Sequence, residues 1–204
     1  MKKAFLLVLF LCTPLVQALE VVTIDMNFVF ENYYRTLIEN KKLAKEKDIT
    51  ESRLKEMQQR VLQLRQDYQN LMKESMNPVI TESARNQKKQ EADAKATEGQ
   101  AALKDLQFFQ KTLQQEAVKK RRGITEELTK EIQKVVDKYA ADNKIDMVID
   151  ESGKSVNGVK VLIYSNDSLS ITNKILAKIN KGHEAFVKKI QDENKAKLEK
   201  EPAK

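Results

Sequence analysis

What most limits the folding of this chain is a long polar stretch, residues 32 to about 142, that proline breaks only once, at Asn77-Pro78. Before the break its large apolar residues fall at Leu54, Met57, Val61, Leu64, Tyr68 and Leu71, alternately three and four apart. Such spacing lays one narrow stripe along a helix, the seam of a coiled coil rather than the wider apolar face of a globular helix. After the break a second stripe runs through Leu103, Leu106, Leu113, Ala117 and Ile124, then tightens through Leu128, Ile132, Val135 and Tyr139. Two long helices joined at a proline-containing turn hide these stripes by folding back on each other. The sequence therefore predicts an antiparallel helical hairpin over 32–142 with its tip near 77–80. The first arm, 32–76, would reach roughly 65 Å at the helical rise. A compact chain of this length has a radius of gyration of only about 16–17 Å, so the hairpin must project from whatever anchors it.

Charged residues make up 33% of the chain and aromatics 6%, with no Trp, which suits long solvated helices better than a large core. Residues 1–18 read as a secretory signal. Lys2 and Lys3 form a basic start, Ala4 to Leu11 an apolar run, and Val16-Gln17-Ala18 a small-residue cleavage site. Pro14 and Gln17 interrupt the run before it could span a bilayer. Cleavage after Ala18 lowers the formal charge from +7 to +5. It also removes Cys12, the only cysteine, and with it any disulfide or thiol chemistry. The expected compartment is the periplasm.

Flanking the hairpin are the pieces of a small body, 19–31 and 143–180. Residues 20–25 are β-branched and predict a strand, with Met26 to Phe30 as an apolar link and Asp25 or Asn27 available to cap a helix. Further strands are predicted at 145–150 and 158–164, with a loop between them, and a short amphipathic helix at 169–180 that Ser168 or Ser170 could cap. Residues 181–204 are rich in Lys, Glu and Ala; they extend that helix and then fray as a charged C-terminal extension. The expected fold is thus α+β, mainly α: a long coiled-coil hairpin on a small β body. Three short strands and one helix bury little, so oligomerisation is expected to complete the body. Val22, Ile24, Met147, Ile149, Val161 and Ile163 are the strand residues expected at subunit contacts.

Sites for chemistry are hard to find. Gly153-Lys154-Ser155 resembles the end of a phosphate-binding loop, but the glycine required five positions earlier is Val148, and strand-like sequence follows where a helix should begin. His183 is the only histidine and reads as a surface residue, since no cysteine or second histidine accompanies it as a metal ligand. No serine has a placed general base. Asn166-Asp167-Ser168 matches a glycosylation acceptor, a triplet common by chance. No enzyme, cofactor, metal site or nucleic-acid partner is expected.

Two surface features are candidates for binding instead. Lys119, Lys120, Arg121 and Arg122 form a basic collar, partly neutralised by Glu116, Glu126 and Glu127, that could attract anionic lipid or an acidic client. The other candidate is the tip. A turn near 78–79 makes residues face each other when their numbers sum to about 157, which puts Leu54 by Leu103, Leu43 by Leu113, Val61 by Ala96 and Leu64 by Ala94. Segment 82–102 offers no large hydrophobe, so the outer arm is expected to be thinly held. Tyr68, Leu71, Met72, Met76, Val79 and Ile80 then either close the turn on themselves or form a soft, adaptable contact surface.

Over most of the chain beyond the signal, up to about residue 180, the sequence resembles the Skp (OmpH-like) family of periplasmic chaperones. The likeness rests on Val22 to Phe30 as the opening strand, Ile132 to Val136 and Asp142 to Asp150 as the return to the second strand, and Val161 to Ile179 as the closing strand with an Ile-Thr helix start. A signal ahead and a charged hairpin of suitable length between complete it. The resemblance implies a homotrimer whose hairpins enclose a cavity and hold unfolded outer-membrane proteins without ATP. It also implies a lipopolysaccharide-binding basic patch on the arms, near Lys119 and Lys120. The extension after residue 180 and the Pro78 tip depart from the family pattern. A different class, an exported coiled-coil spacer or scaffold binding one defined partner, shares the hairpin and oligomer but would not protect unrelated clients.

Overall fold

The computed structural model describes residues 18–198. The expected signal, residues 1–17, lies outside them. Strand β1 (Val21–Ile24) leads through helix α1 (Met26–Asn32) into α2 (Tyr34–Ser75), the ascending leg of the hairpin. The descending leg α3 (Glu82–Asn143) returns to strand β2 (Met147–Asp150), and α4 (Thr172–Ile179) and α5 (Glu184–Leu198) follow. The architecture is mainly helical with a small β body, as the sequence predicts.

Asp25 does cap a helix: its carboxylate accepts from the Phe28 amide at 2.8 Å. That helix is α1, which replaces the expected apolar link and ends at Tyr33, an extended residue (φ −72°, ψ 130°) that separates α1 from α2. At the tip, the Asn77 side chain accepts from the Val79 amide at 3.0 Å and Thr81 caps α3 through the Ala84 amide at 3.3 Å. Local polar side chains therefore set the reversal around Pro78.

In the base, β1 and β2 pair in parallel, Val21 opposite Met147 and Ile24 opposite Asp150. A parallel pair needs a long crossover connection, and the whole hairpin supplies it. Val29, Ile132 and Ile175 are fully buried, with Ile24 and Leu128 beside them, so one compact cluster joins β1, α1, the lower end of α3 and α4.

Three expectations change. Residues 158–164 form no strand; they make a short hairpin loop in which Lys154 bridges Lys160, and Thr23 instead meets Ser170 along the free side of β1. Residues 158–164 fold back on 153–155 instead, the Val161 amide donating to the Gly153 carbonyl at 2.9 Å, and β2 keeps an open outer edge. Next, α4 has Ile171 at its N-cap with no side-chain cap bond, although the Ser170 hydroxyl accepts from the Thr172 amide at a long 3.4 Å. Last, residues beyond 180 do not extend α4: Gly182 turns the chain with φ +83°, and α5 docks as a separate helix with Val187 and Ile190 buried. Only glycine takes that backbone conformation at low cost.

Candidate functional site

The arm is the only part of the described molecule built for reach: α2 alone spans about 63 Å from its 42 residues. Its seam is the predicted stripe. Leu54, Met57, Val61, Tyr68 and Leu71 are half-buried, while Leu64, Leu106 and Ala92 are buried. On α3, Leu103 is 43% exposed and Ala117 also faces solvent, so the second stripe is more broken than expected.

The facing register differs from the symmetric one. Glu74 pairs with Lys88 at 3.3 Å, Arg53 lies over the Phe109 ring at 5.2 Å, and a Cβ on Gly99 would sit 3.8 Å from the Leu64 Cβ. Each partner lies at least five positions further along α3 than a sum of 157 allows. Part of the offset comes from side chains tilting toward the helix N-terminus, down α2 and up α3. The rest is an overhang: Glu74, next to the last residue of α2, already meets the seventh residue of α3. Leu64 therefore packs by Gly99 rather than Ala94. Leu43, Leu54 and Leu113 line one apolar groove, with Ile49, Ala117 and the heads of Glu46 and Lys120 at its rim; its volume is about 630 Å³. Leu54 shares that groove with Leu113 and not with Leu103.

At the tip the candidate residues divide. Tyr68, Leu71, Met72 and Ile80 are half-buried, but Met76 is 71% and Val79 89% exposed. Large apolar side chains also stand exposed down the arm at Ile49, Leu62, Phe108 and Val118, none of which belongs to either stripe. The signal was available in Phe108-Phe109, since neighbours on a helix cannot share one face. Phe109 is half-buried beneath Arg53 while Phe108 points away.

All four residues of the basic collar are exposed. Lys120 reaches across to Glu46 at 2.6 Å and Arg122 pairs with Glu126 at 2.8 Å. The pair raises the guanidinium pKa and lowers that of the Glu126 carboxyl, each through their shared hydrogen bond. Among the described residues Lys119 and Arg121 form no ion pair, so half of the collar's charge faces solvent uncompensated by contact.

Where the arm meets the base, the Tyr33 hydroxyl donates to Glu131 at 2.9 Å, and Arg35 binds both Glu131 and Glu127, the latter at 2.9 Å. Burial first, then the bond to Glu131, pushes the Tyr33 pKa well above the ordinary tyrosine value. His183 stacks on Tyr34 with ring centroids 3.7 Å apart.

The expected subunit contacts also divide. Val22 and Ile24 are buried in the chain's own core, which leaves them no free surface for a partner. Met147 (48%), Val161 (66%) and Ile163 (88%) are exposed, and Ile149 is half-buried. At Gly153-Lys154-Ser155 the Ser155 amide donates to the Val159 carbonyl at 2.8 Å, and the Gly158 amide donates to Ser155 at 2.9 Å. The Ser155 amide is thus engaged within the loop, and no helix follows it directly. Among the described residues no group of three potential metal ligands occurs, and no helix is long and apolar enough to cross a membrane.

A long two-legged helical arm thus stands on a small base, with apolar side chains dispersed along its surface. Residues 20–179 match the outer membrane protein (OmpH-like) family, and the chain belongs to that family. No curated protein matches it.

Proposed function

We propose that this chain is an ATP-independent holdase that binds unfolded outer-membrane proteins in the periplasm and keeps them from aggregating. Membership of the OmpH-like family supports this reading, because the family's general role is that of a periplasmic chaperone for outer-membrane proteins. The observation that carries it is the dispersal of exposed apolar side chains along the arm, from Ile49 through Leu62, Phe108 and Val118 to Met76 and Val79 at the tip. Dispersed single contacts bind weakly at each point and strongly in sum. Such a surface holds a chain without a pocket to fit and releases it without fuel.

The proposed assembly is a homotrimer, entered by export and by cleavage after Ala18. The open edge of β2 and the exposed apolar residues Met147, Val161 and Ile163 supply the surface that sister copies would cover. The collar at Lys119 to Arg122 is proposed to attract anionic lipid or lipopolysaccharide, an interaction that should weaken as salt rises.

The test is aggregation of several unrelated unfolded β-barrel proteins, followed by light scattering without nucleotide. The intact protein should suppress all of them. Replacing Met72, Met76 and Ile80 together with Ser should weaken protection while the thermal melt of the base stays nearly unchanged. Protection of one client alone, or none, would instead indicate a spacer with a single defined partner.

A further inference from the structure

The hairpin's two legs meet the base differently. α3 runs into the core without interruption and buries Leu128 and Ile132 there. α2 does not: the extended residue Tyr33 severs it from α1, and Tyr33 gives α2 no side-chain cap. A helix break leaves carbonyls without donors on one side and amides without acceptors on the other.

One side chain answers both. The Asn180 Nδ2 donates to the Asn32 carbonyl at the end of α1 at 2.9 Å, and the Asn180 Oδ1 accepts from the Tyr34 amide at the start of α2 at 2.8 Å. Asn180 is 5% exposed, so these bonds are shielded from water. Just beyond it, His183 stacks on Tyr34, and the Gln191 side-chain amide donates to the Asn32 Oδ1 at 2.6 Å. Val187 and Ile190 hold α5 down by burial. Glu184 fixes the first turn of α5 by accepting from the Gly182 amide at 3.0 Å. Every residue of this clasp lies past residue 179, where the match to the family ends.

We propose that residues 180–198 are a brace that clamps the root of α2 and limits how far the arm swings on the base. Bending a two-legged arm requires one leg to slide along the other. The legs are joined at the tip, and α3 is rooted in the core, so the Tyr33 joint is where sliding would be taken up. α3 has a weak point of its own at Gly123, about two turns above the residue that Tyr33 bonds, Glu131, and a Cβ there would meet nothing within 4 Å. The brace stiffens the leg that would otherwise pivot. It does so whatever the arm holds, independently of the proposed chaperone activity.

The experiment is a distance measurement between spin labels in the full protein, diluted with unlabelled copies so that only distances within one chain are read. Labels go at the exposed positions Lys55 on α2 and Asn173 on α4, with Cys12, the only native cysteine, replaced by Ser in any protein that retains residues 1–18. In Asn180→Ala, and in the pair Val187→Asp with Ile190→Asp, the distance distribution should broaden about twofold as the arm samples more orientations. Amide exchange at Tyr34 should lose about tenfold of its protection in the same variants. A distribution unchanged while α5 exchanges freely would overturn the brace, and so would unchanged exchange at Tyr34 in Asn180→Ala. Should the paired Asp variant lose its helical signal, Asn180→Ala and Gln191→Ala remove the bonds without burying charge and decide the matter alone. Client protection plays no part in either readout, so a failure of the holdase reading leaves this test intact.

Discussion

The base and the outer arm share a helix, α3, yet the two regions are held by different means. In the base, α3 buries Leu128, Ile132 and Val136 against β1, α1 and α4, with Ile132 and Ile175 wholly out of solvent. In the outer arm the same helix presents Ala92 and Gly99 to α2, and Leu64 is the one large residue there that is fully covered. Ion pairs such as Lys88 to Glu74 and Lys95 to Glu98 decorate the arm, but exposed pairs contribute little net stability. Apolar burial therefore concentrates at one end of a long object. What the contrast teaches is a gradient: a fixed root that positions the arm, and a distal half that can yield to whatever it touches.

The sharpest way to break this contrast is to cut the same amount of side chain from each region. Ile132→Ala should lower stability by about 2–5 kcal/mol, because its neighbours in the base cannot collapse into the space. Leu64→Ala should cost clearly less in urea unfolding followed by circular dichroism, since the two legs beside it can close together. Equal losses from the two substitutions would mean that arm and base are one cooperative unit, and the gradient would be gone.

A smaller effect marks the boundary between the regions. Tyr33 is buried at the root and donates to Glu131, which also receives Arg35. Tyr33→Phe should cost about 1 kcal/mol at neutral pH, the usual net value of such a bond. Its pH dependence has a definite sign. The fold raises the Tyr33 pKa, so it favours the protonated hydroxyl. That stability is fully present below the ordinary tyrosine pKa of about 10 and is lost as pH rises beyond it toward the raised value. Denaturation at pH 8 and pH 11 should show the gap between the native protein and Tyr33→Phe closing by about 1 kcal/mol. Every other ionisable group is common to both proteins, so their difference isolates Tyr33. A gap that widens would place the hydroxyl in a different environment.

Much of this was legible in the chain itself, and the reasons for success and failure are physical. The hairpin, its tip and the burial of Ile132 and Tyr139 follow from three-four spacing, which depends only on helix geometry. The Asp25 cap follows from local chemistry. The register did not, because it depends on how far α3 overhangs the tip, and that is set by the path of Met76 to Ile80 rather than by any periodicity. The expected strand at 158–164 does not form because β-branched residues report a preference for pairing and not which partner is taken: the segment pairs locally with 153–155 and leaves the outer edge of β2 open. The clasp was unreadable for another reason: Asn180 and His183 look like ordinary polar surface residues until the chain turns at Gly182 and carries α5 back to the Tyr33 break. Of the tip set only Met76 and Val79 stand exposed, while Ile49, Leu62 and Val118 lie off the seam and carry no pattern that periodicity would flag.

The smallest expected effect is also the most selective probe of the gradient. Gly99 lies in the interior of α3 beside Leu64, and a methyl group added there would meet the Leu64 Cβ at 3.8 Å, an ordinary contact. Gly99→Ala should therefore stabilise the outer arm by about 0.5–1 kcal/mol, through helix preference and a little added seam contact. An outer arm that opens separately from the base should show amide exchange slowed there by a factor of about two to five, with exchange in the base as it was. Gly123→Ala, in open space near the root, should give a similar gain by helix preference alone. If protection in the base rises as much as in the outer arm when Gly99 is replaced, opening is global and the distal half has no freedom of its own. If protection rises only distally, holding of unfolded clients can be compared before and after at constant base stability. A yielding arm that works by adapting should then hold less well when stiffened, and an arm that works as a rigid fence should hold as before.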